Sequence, residues 1–242
     1  AALGLVGNPK DSITWALSGF SNSVIWLIFA AFMFALGYKK TGLGKRVSLV
    51  MIKYMGKSSL GLGYAVAFSD LVLSPFMPSN TARSAGTIYP VASNIPLIFE
   101  STPEHEPRKL GAYISWVAIA TTCVTSSMFL TALAPNLLAV DLINKGTGHM
   151  ISWGAWASIM LPLMIPLFLL TPWLVYVVYP PTQKTSPEAP AWAAEELKKL
   201  GGITSKELLM AGLAVVALAL WIFSKDFGID STTTAISIVS IM

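Results

Sequence analysis

The sequence predicts an all-α polytopic membrane protein containing broken transmembrane helices and a re-entrant helical hairpin. Three observations carry that expectation. Of the 242 residues, 54% are hydrophobic and 12% charged, so charge is depleted about twofold against an ordinary soluble domain. Several apolar stretches approach the roughly 20 residues a helix needs to cross about 30 Å of hydrocarbon, and none has the short period-two pattern of a barrel strand. Two of the stretches, 74–86 and 121–136, are interrupted by proline together with hydroxyl and amide side chains.

The elements follow in order. Residues 1–58 hold a polar start, Ala1 to Asp11, a span at Trp15–Tyr38 with its core at Phe20–Gly37, and a basic stretch from Lys39 to Lys57. Within Lys45–Gly56 the apolar residues Val47, Val50, Met51, Tyr54 and Met55 recur three and four apart. That spacing predicts an amphipathic helix lying along the membrane surface. Residues 59–99 hold two apolar arms, Leu60–Ser74 and Ser84–Phe99. At helical rise each reaches only about 22 to 24 Å, short of a bilayer. Joined by a proline and Ser-Asn-Thr tip, they read as a hairpin that enters and leaves on one side. Residues 100–143 begin with a charged loop, Glu100–Lys109, and continue as an apolar helix broken near Thr121–Thr131 and Pro135-Asn136. After a polar loop at Asn144–His149, residues 150–180 form a span with Pro162 and Pro166 as kinks. Residues 181–206 are a hydrophilic linker with a short helix at Trp192–Leu200. Residues 207–242 hold a span at Glu207–Phe223, a turn at Ser224–Asp230 and the beginning of another span. The chain starts at Ala1 and stops at Met242 within an apolar run, so a piece of a longer protein is expected.

Charge tests the topology. The net charge is +4, but the basic residues sit in connecting segments rather than in one stripe, which points to membrane orientation and away from nucleic acid. With a hairpin at 59–99, twelve of the 16 Lys and Arg share the cytoplasmic side: Lys39, Lys40, Lys45, Arg46, Lys53, Lys57, Arg108, Lys109, Lys184, Lys198, Lys199 and Lys206. A single crossing there would put the lysines of 181–206 outside. The positive-inside rule prefers the hairpin.

Irregular backbone at membrane depth survives only buried in protein or lining a wet cavity, and paired broken helices mark transporter sites. Ser79, Asn80 and Thr81 at the tip supply neutral donors and acceptors for a carboxylate or a hard cation, and Arg83 adds a planar donor fork suited to carboxylate. Plainer roles compete. Membrane Ser and Thr also bond their own backbone or glue helices, Arg83 can snorkel to the interface, and Asp70 is either a proton carrier or one half of an ion pair. Cys123, the sole cysteine, reads as an inert packing residue and allows no disulfide or thiolate cluster within this chain. No metalloprotease, nucleophile-elbow or phosphate-loop motif is present, so an enzyme is not expected.

The run Ser69-Asp70 through Ser79-Asn80-Thr81-Ala82-Arg83, followed by Tyr89-Pro90, resembles the divalent anion/sodium symporter family. Thr125-Ser126-Ser127 to Pro135-Asn136 and Pro172-Trp173 fit the same branch, that of bacterial citrate/succinate and tartrate/succinate exchangers. The resemblance covers essentially the whole chain. It implies one inverted repeat of an elevator-type transporter and the start of a second, in a homodimer of a bacterial inner membrane. It further implies substrate binding by Ser79, Asn80, Thr81 and Arg83, with Ser126, Ser127 and Thr131 from the broken helix. Citrate, tartrate, succinate, malate and 2-oxoglutarate are the candidate anions. No cofactor is expected, except Na⁺ at Ser79 and Asn80 if the protein is a symporter. Sodium-coupled members lack the arginine. The expectation is therefore that Arg83 replaces Na⁺, and that a bare guanidinium, costly to carry through a membrane, makes exchange obligatory. An Na⁺-coupled symporter and a non-transporting anchor subunit are the alternatives.

Overall fold

The computed structural model describes residues 8–242, apart from the side chains of Pro9, Lys225 and Asp226. Most of the expected polar start therefore lies outside the described residues. The helices are α1 (Pro9–Leu17), α2 (Ser23–Thr41), α3 (Leu43–Met55), α4 (Ser59–Leu73), α5 (Tyr89–Ala92), α6 (Asn94–Ile98) and α7 (Gly111–Met128). They continue with α8 (Ala134–Thr147), α9 (Trp153–Val178), α10 (Glu188–Leu200), α11 (Ser205–Ile222), α12 (Ser224–Phe227) and α13 (Ser231–Ile241). Among the described residues, four stretches are long and apolar enough to cross a membrane: α2, Ser59–Phe76, α9 and α11.

Several boundaries differ from expectation, each for a local reason. The first span begins at Ser23 and not near Trp15, because the Asn22 side chain accepts from Val24 N and starts a new helix after a 3₁₀ turn at Ser18–Ser21. This is an ordinary N-cap. The basic helix exists as α3, but its buried face is Gly44, Ser48, Leu49 and Ile52, while Tyr54 is exposed. It packs against α4 on one side and α10 on the other, so protein neighbours rather than its apolar stripe set its rotation. The first hairpin arm runs through α4 into a 3₁₀ turn at Ser74–Phe76, 18 residues in all. The second arm is not one helix. It is a π-helical stretch at Thr81–Ile88, widened where Thr87 Oγ1 donates to Ala82 O at 3.0 Å, followed by α5 and α6. The expected loop at Asn144–His149 is helical to Thr147, where Gly148 turns the chain at φ 71°. The linker helix begins at Glu188, four residues ahead of expectation. The last span, α11, carries a capping box between Thr204 and Glu207.

Hydrogen bonds give the helices their mutual directions. Tyr113 Oη donates to Pro172 O at 3.2 Å and Trp156 Nε1 to Ser127 O at 3.1 Å, so α7 and α9 run antiparallel. Tyr64 Oη donates to Leu169 O at 2.7 Å, which puts the start of α4 beside the end of α9. A short strap at 182–186 ties three segments together there. Ser59 N and Ser186 N bond Lys184 O and Lys57 O, and Thr182 N and Gln183 N bond Arg108 O and Lys109 O, all at 3.0 to 3.1 Å. Ser59 Oγ and Ser186 Oγ add bonds to Gln183 O at 2.6 Å and Gly56 O at 2.7 Å. The strap thus joins the start of the 59–99 stretch to Arg108 and Lys109, beside which Ser101, just past the stretch's end, accepts from Leu110 N and Gly111 N at 3.2 and 3.0 Å. Beyond it, Arg46 grips Glu207 at 2.7 and 3.1 Å and the Gly201 and Gly202 carbonyls at 3.1 Å, pinning α3 to α11.

Candidate functional site

The two interrupted places meet. After Leu73 the chain turns through Pro75 and Pro78, which cannot donate to a helical ladder, and a new helix starts at Asn80. The long helix breaks likewise at Phe129, where an extended residue and a 3₁₀ turn, Leu130–Ala132, separate α7 from α8. Thr131 Oγ1 donates to Pro75 O at 2.5 Å and accepts from Trp153 Nε1 at 3.1 Å. Ala134 N donates to Pro78 O at 3.0 Å. Asn136 Nδ2 donates to the Ser126 and Phe129 carbonyls at 2.7 and 3.3 Å, and Phe129 O accepts from Ala132 N as well at 3.0 Å.

Arg83 stands at the centre of this junction with 0% of its surface exposed. Each of its nitrogens is occupied within the chain. Nε donates to Asp70 Oδ2 at 3.1 Å, and Nη1 to Met77 O at 2.9 Å and Ala132 O at 3.1 Å. Nη2 donates to Asn80 Oδ1 at 3.1 Å and to the Thr122 and Thr125 hydroxyls at 3.2 Å. The Thr125 hydroxyl in turn donates to Asp70 Oδ2. The guanidinium is therefore neither bare nor snorkelling. It is one half of a buried ion pair, and of the two roles open to Asp70 the structure has the pair.

The tip inherits its polarity from that arrangement. Arginine has no acceptor, so the Asn80 atom that faces it must be the oxygen. Asn80 Nδ2 is turned away and finds no acceptor among the described residues. The tip carbonyls are also engaged: Met77 O by Arg83 Nη1, Pro78 O by Ala134 N and Ser79 O by Arg83 N at 2.9 Å. Ser79 Oγ accepts from Ala82 N at 3.3 Å. What the tip leaves over are the Asn80 amide, the Asn80 and Thr81 backbone N–H groups, and the Ser79 and Thr81 hydroxyls, which can donate or accept. Asn80 and Thr81 line a cavity of about 360 Å³ together with Ser84, Ala85, Tyr89, Ser115, Ala118, Ile119 and Thr122. N–H donors at a helix start and an uncommitted amide suit an anion.

The expected residues from α7 divide. Ser126 Oγ bonds back to Cys123 O at 2.8 Å and Thr131 is fully engaged with Pro75 and Trp153, whereas the Ser127 hydroxyl is uncommitted. The sequence had named Thr122 and Thr125 only as part of a hydroxyl cluster. Their signal was stronger than that, because Asp70 and Arg83 are the two charged residues between Lys57 and Glu100. A lone acid and a lone base in one apolar segment have each other as partner. A second cavity, about 480 Å³, lies between α2, α3, α5 and α10 with Lys39, Lys45 and Glu196 at its wall. Gly86 and Thr87 also line it, on the far part of the helix that carries Arg83, and Glu196 there pairs with Lys45 at 3.4 Å.

Comparison with known proteins places these features in a family. The family model of the sodium:sulfate symporter transmembrane region matches residues 1–242, and the chain belongs to that family, the one its motifs resemble. It is 53% identical over 232 residues to the L-tartrate/succinate antiporter of Escherichia coli strain K12, and equally to that of Shigella sonnei; the aligned part is 96% of this chain and 47% of theirs. A Shigella boydii antiporter of the same description is 52% identical over the same extent. The chain thus spans about half the length of the curated relatives it matches. These relatives are membrane transporters and not enzymes.

Proposed function

We propose that this chain forms one half-site of a carrier that exchanges C4 dicarboxylates, tartrate and succinate among them, across a bacterial inner membrane without Na⁺. The observation that carries the reading is the polarity of the hairpin tip. Its carbonyls and the Asn80 oxygen are engaged by Arg83 and Ala134, so the Asn80 amide N–H groups and the backbone N–H groups of the helix start are the tip's uncommitted donors. A carboxylate is the ligand that such donors fit. The alternative with Na⁺ at Ser79 and Asn80 would find the Asn80 oxygen already hydrogen-bonded to Arg83 and only hydroxyls left as acceptors. Citrate, malate and 2-oxoglutarate offer the same carboxylate chemistry to this half, and the choice among them belongs to the other half-site.

The ion pair changes the reason for exchange. Arg83 is answered by Asp70, so an empty tip carries no net charge, and electrostatics at Arg83 cannot by itself forbid an empty return. Exchange is favoured instead by the substrates, since swapping one dianion for another moves no net charge across the membrane. Binding falls to Ser79, Asn80, Thr81 and Ser127, while Arg83, Ser126 and Thr131 stand behind them as framework. The strap at 182–186, which joins the start of the 59–99 stretch to Arg108 and Lys109, supports a re-entrant hairpin although Ser59–Phe76 is long enough to cross. The bonds between tip and joint favour the hairpin and the 100–143 broken helix moving as one transport body. The segments 1–58 and 207–242 then belong to the scaffold of a homodimer, linked through 181–206, in an elevator motion.

Counterflow of labelled succinate in proteoliposomes of the full-length protein tests this. Uptake should require tartrate or succinate inside and ignore a Na⁺ gradient. Uptake driven by external Na⁺ into vesicles holding no anion would establish the symporter instead, and no flux of any dicarboxylate would leave the anchor subunit.

A further inference from the structure

We propose that Asp70 is a positioning residue that sets the ligand polarity of the hairpin tip, acting through Arg83. The inference rests on the carboxylate site proposed above. Asp70 is 2% exposed in the wall of α4, and its charge has one answer among the described residues, the Arg83 guanidinium 3.1 Å away. Its Oδ1 has no hydrogen-bond partner among the described residues. The acid therefore contributes little apart from fixing Arg83, with Thr125 as the second contact.

That fixation reaches the ligand surface in one further bond. Held at Nε by Asp70, the planar guanidinium presents Nη2 to Asn80 Oδ1 and Nη1 to the Met77 and Ala132 carbonyls. Asn80 has a single acceptor atom, so this contact dictates that its NH₂ faces the cavity. If the guanidinium lost its anchor, the carboxamide could rotate. The Asn80 oxygen would then face the cavity and add an acceptor beside the hydroxyls where an N–H donor had been. Asp70 in this view decides whether the tip selects an anion or can accept Na⁺ as well, although it is screened from any ligand by Arg83.

The test compares D70N, R83Q and the double variant D70N/R83Q in the purified full-length protein. Succinate binding is measured by calorimetry with and without NaCl, and melting temperature with no ligand. Either single variant leaves one buried charge unanswered, and its succinate affinity should fall by about a hundredfold or more, with a lowered melting temperature. The double variant removes both charges, so its melting temperature should recover above that of either single variant. Its succinate binding should now depend on Na⁺, which a merely structural pair would not produce. Recovery of stability with Na⁺-independent binding would overturn the proposal, as would a double variant no more stable than the worse single one. If the single variants do not fold, the double variant and D70E decide, D70E being expected to keep Na⁺-independent binding. Absence of dicarboxylate binding by the wild-type protein would instead refute the carboxylate site itself, which keeps the two failures apart.

Discussion

At the scale of single residues, the decisive group is Asn80, because it converts a buried ion pair into a surface with a sign. Its oxygen is committed inward to Arg83 Nη2 at 3.1 Å, and its amide N–H groups are uncommitted among the described residues. Replacing it by aspartate keeps the size and the bond to Arg83 while exchanging two donors for an acceptor with a negative charge. A hydrogen bond to a charged group contributes about 1.5 to 3 kcal/mol, so N80D should weaken succinate binding by about 10- to 100-fold or more, and the added repulsion acts in the same direction. N80A loses the donors without gaining charge and should fall between wild type and N80D. Calorimetric titration of the full-length protein gives the order directly. An N80D protein that binds succinate as wild type does would remove Asn80 from the site. The tip cluster, Ser79-Asn80-Thr81, was legible in the sequence because an amide between two hydroxyls directly after Pro75 and Pro78 breaks an apolar segment where a helix would otherwise continue. The role of Arg83 was not, since a motif names the residue but not its partner thirteen positions earlier.

At the scale of elements, what could be read depended on whether neighbours intervene. The break between α7 and α8 was visible because Pro135 and a run of hydroxyls disrupt a helix locally. The rotation of α3 was not visible, because α4 and α10 select Ser48, Leu49 and Ile52 for burial rather than the more apolar stripe through Val47 and Val50. The π-helical second arm escaped for a similar reason, its widened turn being held by a side-chain bond from Thr87 rather than by backbone propensity. Close packing of α4 on α7 has its own residue-level cause. A Cβ at Gly63 would overlap the Tyr113 hydroxyl, and Tyr113 cannot retreat, being fully buried, hydrogen-bonded to Pro172 O and set edge-on to Tyr176 at 5.7 Å. Overpacking of this kind destabilises by about 1 to 3 kcal/mol. G63A should therefore lower the melting temperature of the detergent-solubilised protein, whereas G212A, with nothing near its Cβ position, should not. Equal melting temperatures would mean that α4 and α7 can separate freely.

At the scale of the whole molecule, loop charge and hydrogen bonding converge on one topology by independent routes. The positive-inside rule groups Lys39–Lys57, Arg108–Lys109 and the 181–206 lysines on one side from composition alone. The strap groups the same segments by contact, since 182–186 bonds residues 57 and 59 at one edge and 108 and 109 at the other. Lys145 belongs to the opposite end: it pairs with Asp141 at 2.7 Å, which is bonded by Asn22 at the start of α2, while Lys39 and Lys40 close that helix. A helix of 19 residues covers about 28 Å, so the two groups lie at opposite ends of α2, as the positive-inside reading expects. Single cysteines on a cysteine-free background of the full-length protein, C123S included, make this measurable at the exposed positions Lys57, Glu104, Lys184 and Lys145. A membrane-impermeant maleimide should label K57C, E104C and K184C in inverted vesicles and K145C in spheroplasts. Labelling of K57C and E104C from opposite faces would mean that 59–99 crosses the bilayer once. The tip would then lie near a membrane surface instead of at the depth where a carrier needs its half-site.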